Sequence, residues 1–217
     1  MKKILLIFIG FLIMSCDDYL DIVPDKTQEL SLLFERKEAA YTALVTCYSY
    51  MPQNDGIYST YVLASDELTT PFAKDTPAIE LMKGEQNADN PIMGYWSGYS
   101  ALGRGQESLF KGIRACNTLI QNIDNVLDMT SEEKLNWKSE AIFLKAYYHF
   151  LLLIHYGPIP IVDVNLPISS NVDDVKVRRE LVDDVFQYIF STVELSIDGL
   201  SERNLTTNSF GRSEKVI

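Results

Sequence analysis

The chain has 217 residues and a formal net charge of −11, from 30 Asp+Glu against 19 Lys+Arg. That length can bury a full core, and acidity without a basic patch to neutralise phosphates argues against a nucleic-acid binder. The acidity selects nothing further, since a solvated surface accounts for it.

In chain order, Lys2 and Lys3 head an apolar run from Ile4 to Met14, followed by Ser15 and Cys16. A basic start, a short apolar stretch and a small residue before a cysteine have the form of a cleavable leader. The run is too short to span a bilayer. IMSC is similar to a bacterial lipobox, which implies a mature chain beginning at a lipidated Cys16. Residues 16–31 are acidic, carry Pro24 and hold no sustained period, so they read as a tether. The expected division is a leader over 1–15, a lipidated tether over 16–31 and a helical domain over 32–217.

Glu35 to Met51 reads as helix, with Ala39, Ala40, Ala43, Leu44, Cys47 and Tyr48 on one stripe and Pro52 closing it. Its alanines let another helix come close. Asn54 to Gly105 shows no long helical pattern but carries turn clusters and the aromatics Tyr58, Tyr61, Phe72, Tyr95, Trp96 and Tyr99. A loop this long in a compact protein is functional or disordered, and the aromatics argue against disorder. Gln106 to Leu127 returns to a helix period through Phe110, Ile113, Cys116, Leu119, Ile120, Ile123 and Val126. Cys47 and Cys116 therefore fall on helices that could face each other, and packed thiols are favoured over a disulfide.

Thr130 and Glu133 have capping-box spacing and open a helix near Ser131. From Ala141 to Ile154 only Lys145 and His149 are polar, four apart on one stripe. A helix this apolar has to be covered on most sides by other helices. Gly157 and Pro158 stop it. An irregular loop follows to Lys176, then a last helix from about Arg179 to Ile197 with Val182, Phe186, Ile189, Val193 and Ile197 on one face. The expectation is two helix pairs, each interrupted by a long loop.

SEAIFLKAYYHFLLLIHYGPIPIV resembles the signature helix of the SusD/RagB family, as do SCDDYLDIVPD, the stretch from ADNPIMGYWSGY to NTLIQNID, and NLPISSNVDDVKVRRELVDDVFQYI, in the same order. The resemblance implies an all-α fold of tetratricopeptide-like helix pairs with long loop insertions. It also implies an outer-membrane lipoprotein, surface-exposed, that captures nutrients, often oligosaccharides, for a SusC-type TonB-dependent transporter. Asp17 and Asp18 resemble the acidic export signal of such surface lipoproteins. FGRSEKVI resembles the lead-in to the family's third helix pair, so the chain is expected to be incomplete and to lack the C-terminal half.

The sequence offers little catalytic chemistry. HExxH, GxSxG and P-loop patterns are absent, and no cofactor is implied. His149 and His155, six apart, do not share a helix face as a metal pair would, and read as satisfied core or helix-end residues. The carboxylates Asp66 and Glu67 in VLASDELTT could line a site, or could simply cap local amides. Sugar capture uses flat aromatic faces and a few polar groups in a formed pocket. Asn90, Tyr95, Trp96 and Tyr99, with Asp66, are the candidate ligand contacts, although core packing is the simpler account of each ring taken singly. The competing functions are a surface glycan hydrolase using Asp66 or Glu67, and a helical-repeat scaffold that binds only protein.

Overall fold

The computed structural model describes residues 34–52, 77–98, 108–167, 170–171, 173–202 and 212–213, all within the unit Phe34–Ile217. Among them the regular elements are helical: α1 Lys37–Ser49, α2 Pro77–Met82, α3 Leu109–Asn122 with a 3₁₀ turn Ile123–Asn125, α4 Ser131–Tyr156 and α5 Val182–Ile197. No helix among them is long and apolar enough to cross a membrane. The leader, the tether and Cys16 lie outside the described residues.

α4 is the longest element, at 26 residues, and its ends are set by local chemistry. Thr130 Oγ1 accepts from Glu133 N–H at 3.2 Å, while the Glu133 carboxylate accepts from Thr130 N–H at 3.0 Å. Two of the amide groups that a helix start leaves without partners are thereby satisfied. At the other end Gly157 takes φ +68°, where a side chain would be strained, and its N–H closes on the Leu153 carbonyl at 2.9 Å. Pro158 then prevents continuation.

α4 packs against α1, α3 and α5. Ala141, Leu144, Ala146, Tyr148 and Leu152 are wholly buried, as the apolar run requires. Each such leucine contributes about 1.5–3 kcal/mol of transfer free energy. α3 lies antiparallel to α1, and the pair is pinned at both ends. Leu127 N–H donates to the Glu35 carbonyl at 3.1 Å, and Lys37 N–H, an otherwise orphaned helix-start donor, reaches Asp128 Oδ1 at 2.5 Å. At the opposite end Gly112 sits so close to α1 that a Cβ there would meet the Tyr50 Cβ and the Tyr148 ring at 2.9 Å each.

α5 runs antiparallel to α4. Glu180 N–H donates to the Ile159 carbonyl at 2.9 Å near its start, and Asn136 donates to the Gly199 carbonyl at 2.9 Å past its end. Its covered face differs from expectation. Val185, Ile189, Thr192 and Ser196 are buried, whereas Phe186 and Ile197 are exposed and Phe190, at 61%, more so. The apolar stripe is broader than the contact, and the face against α4 is turned by about one residue. Phe186 and Phe190 stack on each other at 6.3 Å on the outer side.

Candidate functional site

Two side-chain amides shape the segment after α2. Gln86 Oε1 accepts Ile92 N–H at 2.6 Å and Met93 N–H at 2.9 Å. Asn87 Oδ1 accepts Asp89 N–H at 3.0 Å and Asn90 N–H at 2.9 Å, an Asx turn. Residues 92–98 are thereby laid across the start of α3 and the end of α4. Tyr156 Oη fastens them, donating to the Met93 carbonyl at 2.6 Å and accepting Trp96 N–H at 3.2 Å. Ser108 Oγ donates to the Trp96 carbonyl at 2.6 Å, and Leu109 N–H to the Tyr95 carbonyl at 2.9 Å.

The sequence candidates are placed unequally. Tyr95 is a core residue, buried and edge-on to His155 at 5.2 Å. Trp96 is half-buried, edge-to-face with Phe110 at 5.1 Å and Tyr156 at 5.4 Å. The guanidinium of Arg179 covers a face of its indole at 4.6 Å and also donates to the Pro158 carbonyl at 3.2 Å. Asn90 contributes its backbone to the Asx turn, in the turn before the aromatic cluster. Asp66, Glu67 and Tyr99 lie outside the described residues.

The two titratable groups at the end of α4 are both shifted toward their neutral forms. Burial pulls His155 below its usual pKa, and its Nδ1 lies 2.6 Å from the Leu151 carbonyl, so it sits as a neutral donor. Burial pushes the Tyr156 hydroxyl up. The cluster therefore supplies flat apolar faces, one guanidinium and fixed amide geometry. Among the described residues no group of three or more His, Cys, Asp or Glu could hold a metal ion.

Two polar clusters, each built on a buried α4 side chain, brace the fold beside it. His149, wholly buried, has Nδ1 2.8 Å from the Lys145 carbonyl and accepts Val162 N–H on Nε2 at 3.2 Å. Desolvation lowers its pKa to about 4. Lys145 pairs with Asp163 at 3.0 Å, and Tyr188 Oη donates to the same Oδ1 at 3.0 Å. Partial burial works to raise the Asp163 carboxyl, but the ammonium and hydroxyl outweigh it and hold it below the usual value. In the second cluster Glu140, 1% exposed, receives two donors from Arg212 and the Tyr48 hydroxyl at 2.7 Å. Burial and the Glu140 charge push the Tyr48 hydroxyl up.

Sequence reasoning identified Trp96 but not the Arg179 that covers it, nor the Glu140–Arg212 pair. Arg179 stands in the run VRRE, which reads as the approach to a helix; no local pattern signals a partner so far along the chain.

Compared with known proteins, residues 18–212 match the SusD-like family, described as starch-binding and associating with the outer membrane. No curated protein sequence matches. Among solved structures, the chain is similar to a SusD-like protein from Bacteroides fragilis (TM-score 0.66, 15% identity, covering 84% of this chain and 33% of that one). A laminarin-binding SusD-like protein gives TM-score 0.65 at 17% identity, over 83% of this chain and 38% of that one. Surface glycan-binding protein A from Bacteroides thetaiotaomicron, in complex with laminarihexaose, gives 0.62 at 18% identity, over 82% and 36%. These likenesses establish the all-α SusD-like fold, and the chain spans about a third of the length of the structures it matches.

Proposed function

The chain belongs to the SusD-like family, and from that premise we propose that it serves non-catalytic capture of oligosaccharides at the outer membrane for a SusC-type TonB-dependent transporter. The observation that carries this reading is the family match over residues 18–212. The names of two solved relatives, one laminarin-binding and one in complex with laminarihexaose, point to glucans as the first ligands to test. We place Trp96 at the part of the ligand face that this chain supplies, with Arg179 and Asn90 as polar neighbours. Tyr95 holds Trp96 in position from the core. Asp66 and Tyr99 are proposed as further contacts on the same stretch. Residues 1–15 are proposed as a leader, 16–31 as a tether lipidated at Cys16, and 32–217 as the helical domain.

The test is affinity electrophoresis and calorimetry of the full chain against laminarihexaose and maltohexaose, with chromatographic analysis of the sugars afterwards. Retention with the sugars intact is expected. Release of shorter sugars would indicate a hydrolase and reject the reading. Failure to retain either sugar, together with co-purification of a transporter, would point to a protein-only scaffold.

A further inference from the structure

Cys47 on α1 and Cys116 on α3 stand as free thiols, both with no exposed surface. The antiparallel register of the two helices decides what they face. It is fixed at one end by the hydrogen bond from Leu127 to Glu35 and at the other by the close seat of Gly112 against Tyr50. Cys47 lies one turn inside Tyr50 on its helix, and Cys116 lies one turn inside Gly112 on the other. The register therefore brings the two cysteines opposite each other, with the Cys47 side chain a hydrogen-bonding neighbour of Cys116. Small residues, Ala40 and Ala43 on α1 with Gly112 and Ala115 on α3, let the helices approach closely. Helices with axes about 8–10 Å apart and Cα atoms about 2.3 Å from each axis place facing Cα atoms roughly 3.4–5.4 Å apart. The upper part of that range overlaps the span a disulfide bridges.

We propose that Cys47 and Cys116 are joined by a disulfide that ties α1 to α3 when the chain folds outside the cytoplasm. The compartment rests on the outer-membrane reading above; the pairing rests on the register. The reaction is thiol–disulfide exchange with a protein disulfide donor of the extracytoplasmic space. One cysteine thiolate attacks the donor's S–S bond to give a mixed disulfide. The second cysteine thiolate then displaces the donor, which leaves as a dithiol carrying the two electrons and two protons lost here. Exchange precedes final packing. In the folded chain both sulfurs are covered, and burial raises the Cys116 pKa well above the usual thiol range, which starves the reaction of thiolate. Tyr148, whose hydroxyl donates to the Cys47 carbonyl, closes over the pair once α4 docks.

The experiment uses the full chain carrying Cys16→Ser, to remove the third thiol, produced with export to a bacterial periplasm. Non-reducing denaturation in iodoacetamide and digestion are expected to give one linked peptide pair joining Cys47 to Cys116. Reduction should abolish it and lower the denaturant midpoint. A parallel sample is refolded from denaturant in a glutathione redox buffer. Alkylation of both cysteines in both samples overturns the proposal through its geometry. Linkage in the redox buffer with free thiols in the exported chain overturns it through its compartment. Laminarihexaose retention is measured on the same samples, so failure of the glycan reading is scored separately.

Discussion

The carboxylate of Glu140, midway along α4, is gripped by the guanidinium of Arg212, 72 residues further on, and by no other cation among its described contacts. Arg212 also lies over the Trp137 ring at 5.7 Å, and Ser213 N–H donates to the Tyr48 hydroxyl at 2.8 Å. Arg212→Ala leaves a charge stranded at 1% exposure, and a cost of about 3–5 kcal/mol is expected in chemical denaturation. Replacing both partners together, as Glu140→Leu with Arg212→Met, should cost much less, because no uncompensated charge remains. A single Arg212→Ala variant within about 1 kcal/mol of the parent would show that the pair does not hold this segment down.

His149 makes stability depend on pH in a defined direction. Its folded pKa, about 4, lies below the usual value of 6.5, so the unfolded chain binds the extra proton more readily between those values. The contribution is complete above pH 6.5 and fades as pH falls toward 4. From a shift of this size it amounts to roughly 3 kcal/mol, at about 1.4 kcal/mol per unit. Denaturant midpoints measured between pH 7 and 4 should fall, and His149→Gln should flatten that part of the profile. An unchanged slope in His149→Gln would assign the acid sensitivity elsewhere.

Two glycines respond to the same substitution for different reasons. At Gly112 an added Cβ would stand 2.9 Å from both the Tyr50 Cβ and the Tyr148 ring, so Gly112→Ala overpacks the α1–α3–α4 contact. Overpacking costs about 1–3 kcal/mol against the roughly 1 kcal/mol that alanine returns in helix propensity, so a net loss of up to about 2 kcal/mol is expected. At Gly157 a Cβ would meet nothing within 4 Å, but φ is +68° with ψ −129°, so Gly157→Ala costs about 1–3 kcal/mol through the backbone alone. Crystal structures of the variants separate the cases: displaced rings at 112, unmoved neighbours at 157.

Arg179 shields Trp96. Its removal in Arg179→Ala, studied with Trp137→Phe so that Trp96 is the only tryptophan, should increase acrylamide quenching of the remaining fluorescence. Arg179→Lys should quench in between, because an ammonium lacks the planar guanidinium that stacks on the indole. Equal quenching in all three would mean that the guanidinium does not rest on the ring in solution.

What could be read from the sequence depended on the range of the interaction. The start of α4 at Thr130 and Glu133 and its stop at Gly157 are written within four residues, and both fall where expected. The burial of α4 follows from an apolar run with only two polar interruptions, and the structure resolves those two. Lys145 reaches out to Asp163, and His149 accepts the Val162 amide. The covered face of α5 was misjudged because Phe186 and Ile197 are as apolar as Val185, and periodicity does not say which of two greasy faces meets a neighbour. Trp96 was recognisable as a candidate, but its dependence on Phe110, Tyr156 and Arg179 arises only when distant segments converge.

The two-ended pinning of α1 against α3 has a corollary. The posts at Tyr50 and Leu109 hold α1 and α3 in register, so the frame tolerates an insertion in the chain that joins them. Doubling such an insertion adds only about 0.6 kcal/mol of closure entropy. A longer connection at that point would leave the contacts of α1 with α3 and α4 in place.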